Sequence, residues 1–222
     1  MDWQDNHRFL KTAFDTSVQS NFARHEIQYG NVLRPTTRNN SIEKAKFEVV
    51  NHKYTDLSET RFGAAMLNDG KYGIGVEGGK IRLSLHKGGT RPDFNGDRGI
   101  HRTVYSFLPH MGGFSSNDVI KPAYELNVPV VVGKGDYESV ALVLPKADNV
   151  IVEAIKPCED SEKAFIARLY EAEGSFTNCP VEFFGGAKKV EITNMLEEVQ
   201  SEVKDNELTF RPFEIKTVKV SY

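Results

Sequence analysis

The sequence holds 222 residues, 39% of them hydrophobic and 27% charged, with a formal net charge of −3. That length buries a core in one large domain or two smaller ones, and the composition is not that of a disordered chain. The basic residues are scattered rather than striped, which argues against nucleic acid, and no apolar run approaches the ~20 residues of a bilayer span, which argues against a membrane.

Taken in order, most of the chain reads with a period of two. The runs are HEIQYGNV (25–32), AKFEVVN (45–51), RFGAAMLN (61–68), KIRLSLH (80–86), HRTVYSFLP (101–109), VPVVVG (128–133), SVALVLP (139–145), NVIVEAI (149–155), AFIARLY (164–170), KKVEITN (188–194) and IKTVKV (215–220). Most are rich in β-branched or aromatic residues and bounded by Gly, Asn, Asp or Pro, as strands are. They recur every ten to fifteen residues or so, a spacing that suits antiparallel sandwiches better than a βαβ array. One stretch, SSNDVIKPAYEL (115–126), predicts a helix, with Ser115 or Ser116 as N-cap and Pro122 limiting its length. The polar segments 39–46 and 200–207 predict loops. Pro145 and the polar turn after it predict a boundary, giving a large sandwich over 1–147 and a small one over 148–222.

Residues 73–78 read GIGVEG, the G-x-G-x-x-G spacing of a dinucleotide loop. Such a loop must open a helix, whose N-terminus carries the pyrophosphate. Here Ile81, Leu83 and Leu85 alternate with Lys80, Arg82 and Ser84, which is strand periodicity. Glu77, Gly78 and Gly79 therefore predict a hairpin turn instead. Asp93, Asn95 and Asp97 resemble the start of a calcium loop. The Gly at position six and the Glu at position twelve are replaced by Arg98 and Val104, so the expectation is a polar turn. His52, His86, His101 and His110 show no spacing that would make them converge on zinc, and they predict satisfied or surface histidines. The two cysteines, Cys158 and Cys179, allow one disulfide, but two reduced thiols of a cytosolic protein are the better expectation. The N-terminal segment has no signal-peptide pattern.

An ordered set of short motifs carries a resemblance. It runs through Phe47-Glu48-Val49, the segment from His52 to Ser58, Leu67 to Gly73, Leu83 to Leu85, Arg91-Pro92-Asp93, Asp97 to His101, and Phe107 to His110. Trp3, Leu10 and Lys11 resemble a W-x-x-x-H-x-x-L-K segment, and Tyr29-Gly30 and Arg34-Pro35-Thr36 continue it. Arg168 to Glu171, Thr193 to Glu197 and Pro212 to Thr217 complete the tail. Together they resemble the C-terminal β-region of α-mannosidases of glycoside hydrolase family 38, bacterial and cytosolic type, over essentially the whole chain.

The resemblance implies an all-β fold. A large antiparallel sandwich related to those of mutarotases would be followed by a small terminal sandwich. It implies a long retaining enzyme whose zinc ion, aspartate nucleophile and acid/base carboxylate lie in another domain. No catalytic or metal-binding residue is expected within these 222 residues. The chain would be an N-terminally shortened piece, inactive alone, cytoplasmic, with its own catalytic domain and a mannose-containing glycan as partners, and compatible with a homo-oligomer. Its substrate-cleft candidates are Asn68, Asp69, Lys71, Tyr72 and Lys87. His86-Lys87-Gly88-Gly89 stands where many relatives have Leu-Arg-Ser-Pro, and Lys87 would grip a sugar hydroxyl less rigidly than arginine. The rival expectation is a carbohydrate-binding module using Trp3, Tyr72, Phe94 or Tyr105 as a stacking platform.

Overall fold

The computed structural model describes residues 1–136 and 141–222. They fall into two compact units, residues 1–130 and 131–222. Every strand pairing in both is antiparallel.

The first unit contains β1 (Asp2–Trp3), β2 (Phe9–Asp15), β3 (Phe22–Ile27), β4 (Gly30–Pro35), α1 (Ser41–Ala45), β5 (Val49–Val50), β6 (Tyr54–Ser58), β7 (Phe62–Asn68), β8 (Gly73–Glu77), β9 (Lys80–Lys87), β10 (Gly99–Ile100) and β11 (Tyr105–Met111). A π-helical turn (Ser116–Ile120) then runs into α2 (Lys121–Asn127). One sheet has the order β11-β7-β6-β3-β4 and a second β2-β9-β8-β5, with β1 and β10 as a separate pair. Apolar residues from one face of each sheet meet between them. Ala23, Leu57 and Met66 come from the first, and Ile74, Val76, Ile81 and Leu83 from the second. This is the predicted sandwich, and alternation along each strand is its cause.

The second unit contains β12 (Val143–Pro145), β13 (Val150–Cys158), β14 (Ser161–Glu171), β15 (Thr177–Phe183), β16 (Lys189–Thr193), β17 (Val199–Glu202), β18 (Glu207–Phe210) and β19 (Ile215–Ser221). Its sheets are ordered β12-β15-β18 and β13-β14-β19-β16-β17. Leu169, Val181, Phe210, Val218 and Val220 are among the residues of its core. Cys179 lies in that core while Cys158 belongs to a separate small cluster, and both thiols are free and buried.

The glycine-rich stretch is the arm and turn of a hairpin, with Glu77 facing Lys80 across the turn and Gly78 at φ +55. Gly73 and Gly75 are where another part of the chain comes close. A Cβ on Gly75 would lie 2.6 Å from the Phe47 carbonyl oxygen, and one on Gly73 the same distance from a Glu48 carboxylate oxygen. The missing side chains let the segment before β5 lie directly on β8.

Several expectations change. The segment 25–32 is the end of β3 and the start of β4, because Tyr29 adopts φ +53 and turns the chain. Residues 45–51 form strand only at Val49 and Val50. The polar stretch 39–46 holds a short helix. Asn40 caps it by accepting from the Glu43 N–H, and the Asn40 amide donates to the Glu43 carboxylate. Residues 128–133 form no strand, and Val130, Val131 and Val132 are almost fully exposed. The sequence pattern is that of a strand, but Pro129 has no N–H to donate to a ladder. Of the run 139–145, Ser139 and Val140 lie outside the described residues, and strand begins at Val143. Segment 200–207 supplies the end of β17 and the start of β18. The helical stretch forms as expected, capped by Ser115, with Pro122 in the first turn of α2.

Candidate functional site

Four of the five cleft candidates lie on the turn between β7 and β8, and Lys87 ends β9, the hairpin partner of β8. The ladder places Ile74 opposite Leu83, so the turn and Lys87 leave the same end of the sheet. Asn68 is fully buried. Its Nδ2 donates to the Asn51 side-chain oxygen at 3.0 Å and to the His52 carbonyl at 2.8 Å. Its Oδ1 accepts from the backbone N–H groups of Gly70 and Lys71 at 3.1 and 2.6 Å. The side chain therefore shapes the turn.

Two further asparagines hold the same turn. Asn51 Nδ2 donates to the carbonyls of Lys71 and Tyr72, and Asn127 Nδ2, at the end of α2, donates to the Asn68 carbonyl at 3.0 Å. Asp69 accepts from the Val104 N–H through Oδ1, while its own N–H donates to the Val104 carbonyl. The turn is thus fixed on several sides, and it presents Tyr72, 54% exposed, outward. The His52 ring lies against Tyr72 with centroids 5.0 Å apart.

Behind this surface Lys53 joins the same end of the sheet to β3. Its ammonium lies 2.9 Å from Glu26 Oε1 and over the Tyr124 ring at 4.3 Å. Glu26 is almost fully buried, and burial raises its carboxyl pKa although Lys53 pulls the other way. Asn51, His52, Lys53, Tyr124 and Asn127 are not legible as site residues from periodicity. Their roles are side-chain bonds to carbonyls and ring contacts, which leave no spacing pattern.

Each of the remaining three histidines is bonded through Nε2, while the buried Nδ1 of His110 has no hydrogen-bond partner. His86 and His101 both bond through Nε2 to the Asp97 carbonyl at 2.8 Å, and His110 bonds to Asp56. The calcium-like stretch is an Asx turn, with the Asn95 N–H donating to Asp93. Among the described residues no group of three or more His, Cys, Asp or Glu could hold a metal ion. Of the suggested platform aromatics, Trp3 is buried edge-on against His86, and Tyr105 packs against Phe14. Tyr72 and Phe94 are the well-exposed ones.

The tail motifs have structural roles. Glu171 is buried and accepts from the N–H groups of Glu173, Gly174, Ser175 and Phe213 and from Asn149. Glu197 stands 2.5 Å from Lys156 and accepts from the Glu159 N–H, which holds its carboxyl down at about 2.

The architecture is thus two antiparallel sandwich units, the first of which carries a braced turn with Tyr72 facing outward. Comparison with known proteins gives the family. The profile of the glycosyl hydrolases family 38 C-terminal domain matches residues 1–95, and that of the family 38 C-terminal beta sandwich domain matches residues 149–218. The chain belongs to glycosyl hydrolase family 38 and is a C-terminal β-region of that family. It is 36% identical to Alpha-mannosidase 2C1 of Homo sapiens over 96% of its own length and 22% of that protein's. It is 37% identical to Alpha-mannosidase G of Dictyostelium discoideum, over 99% and 21%. The chain thus spans about a fifth of the length of the curated relatives it matches. The crystal structure of an alpha-mannosidase from Enterococcus faecalis V583 superposes on 95% of the chain and 25% of its own, with TM-score 0.78 and 17% identity, a likeness of fold. No helix among the described residues is long and apolar enough to cross a membrane.

Proposed function

We propose that this chain serves an enzyme that hydrolyses α-mannosidic bonds, by bordering the cleft in which another part of that enzyme performs the chemistry. The observation that carries this reading is the braced turn 68–72. Three asparagines hold its backbone, Tyr72 is turned outward, and Lys87 leaves the same end of the sheet. An exposed aromatic face suits the C–H face of a sugar, and lysines at the same end of the sheet are donors for its hydroxyls. In this reading Tyr72, Lys71 and Lys87 touch the mannoside, while Asn68 and Asp69 fix the turn. The nucleophile, the acid/base group and any zinc belong to the catalytic part, and no step of the chemistry passes through these residues. The two free, buried thiols support a cytoplasmic setting.

The test is kinetic, in the mannosidase that carries this region. Tyr72→Ala removes a stacking contact worth about 1–1.5 kcal/mol, so KM is expected to rise roughly tenfold with kcat changed less. An unchanged KM for Tyr72→Ala, Lys71→Ala and Lys87→Ala together would remove the turn from the cleft.

A further inference from the structure

His110 sits on β11, an edge strand, yet its partner is two strands away. Between them lies Gly63 of β7, which is in register with both His110 and Ser58. A Cβ on Gly63 would stand 2.5 Å from His110 Cε1 and Nε2 and 2.6 Å from Ser58 Cβ. The glycine is thus the gap through which the imidazole crosses β7 to reach Asp56 on β6. His110 Nε2 lies 2.8 Å from Asp56 Oδ1, and the two side chains are 4% and 1% exposed. Ser58 Oγ donates to the other carboxylate oxygen at 2.7 Å.

The segment that β11 belongs to grips the candidate turn at both of its ends. Val104, just before β11, exchanges hydrogen bonds with Asp69. Asn127, which closes α2 further along, donates to the Asn68 carbonyl. The His110–Asp56 pair sits between these two attachments.

We propose that His110 and Asp56 form a proton-dependent clasp that holds residues 104–127 on the five-stranded sheet and thereby positions the turn 68–72. His110 is a positioning residue in this account. The charged groups facing it are Asp56 on β6 and Asp118 on the π-helical turn. β7 contributes no charged side chain, and Arg24, the register partner of Asp56 on β3, turns its guanidinium to Asn31 and Phe114. The hydrogen bond to Asp56 raises the imidazole pKa, opposed by burial, and Asp118 adds a smaller pull upward. A raised folded-state pKa fixes the sign. The clasp contributes fully below the unfolded value of about 6.5 and is lost as pH rises through the folded value.

The experiment uses the chain itself and needs no sugar, so its failure is separable from failure of the cleft reading on which it builds. The His110 ring is titrated by NMR, and amide hydrogen exchange is followed from pH 6 to 9 in wild type and His110→Gln. The ring is expected to titrate above 6.5. After correction for base catalysis, exchange at Gly70, Lys71 and residues 104–127 should speed up roughly tenfold across the transition. His110→Gln should be flat at the fast level. A ring that titrates at or below 6.5, an identical pH trend in the variant, or acceleration confined to residues near 110 would each overturn the clasp. The ring titration stands even if the variant does not fold.

Discussion

Glu171→Ala should cost the terminal unit on the order of 4 kcal/mol, the largest loss expected from any single truncation among the hydrogen-bonding residues described. The fully buried carboxylate receives four backbone N–H groups and the Asn149 amide. It ties the loop after β14 to the turn before β19 and to the residue before β13. Alanine leaves five donors facing a void, and no water-exposed route is open to a buried site of this kind without loosening both turns. Glu171→Gln divides the effect. Its oxygen can serve the three donors on Oε2, but its NH2 then opposes Glu173 N–H and Asn149, so roughly half the loss is expected. Urea unfolding followed by circular dichroism, with hydrogen exchange at residues 173–175 and 213, measures both. A cost below about 1 kcal/mol for the alanine variant would mean that the carboxylate does not organise these turns.

Acid should destabilise the first unit through His25. The ring is buried, within 2.9 Å of the Thr55 hydroxyl, and its pKa is lowered from 6.5 to about 3, chiefly by burial and secondarily by Arg34. Above pH 6.5 the residue is neutral folded or unfolded and contributes no pH dependence. Below it the unfolded chain takes up a proton that the folded chain refuses, so stability falls until about pH 3. The full shift corresponds to on the order of 5 kcal/mol. His25→Asn keeps a polar group for Thr55 and removes the titration. Its stability should therefore depend much less on pH between 6.5 and 3 than wild type, whatever its stability at neutral pH. The single tryptophan, Trp3, lies in this unit and reports the transition by fluorescence. Parallel pH curves for the two proteins would show that His25 does not govern the acid limb.

Much of the architecture was legible because strand alternation and turn chemistry are local. KIRLSLH and RFGAAMLN became strands at the expected residues, and the period after Gly79 was enough to replace a phosphate loop by a hairpin. The family resemblance was legible because its motifs sit where the fold is most constrained: Asn68 in the braced turn, Glu171 and Glu197 in turn-locking bonds. What was not legible depends on partners distant in sequence. Nothing local shows that Asn127 reaches the Asn68 carbonyl, that Phe47 lies on Gly75, or that Gly63 lets His110 reach Asp56. The VPVVVG run misleads for a related reason, since its strand pattern finds no ladder within the described residues.

The central claim is that these residues border a mannoside cleft but do not perform the hydrolysis. The purified chain, incubated with p-nitrophenyl α-mannoside with and without added zinc, tests it most directly. Release of p-nitrophenol at the blank rate in both is the predicted result, and zinc-dependent release above the blank would contradict it.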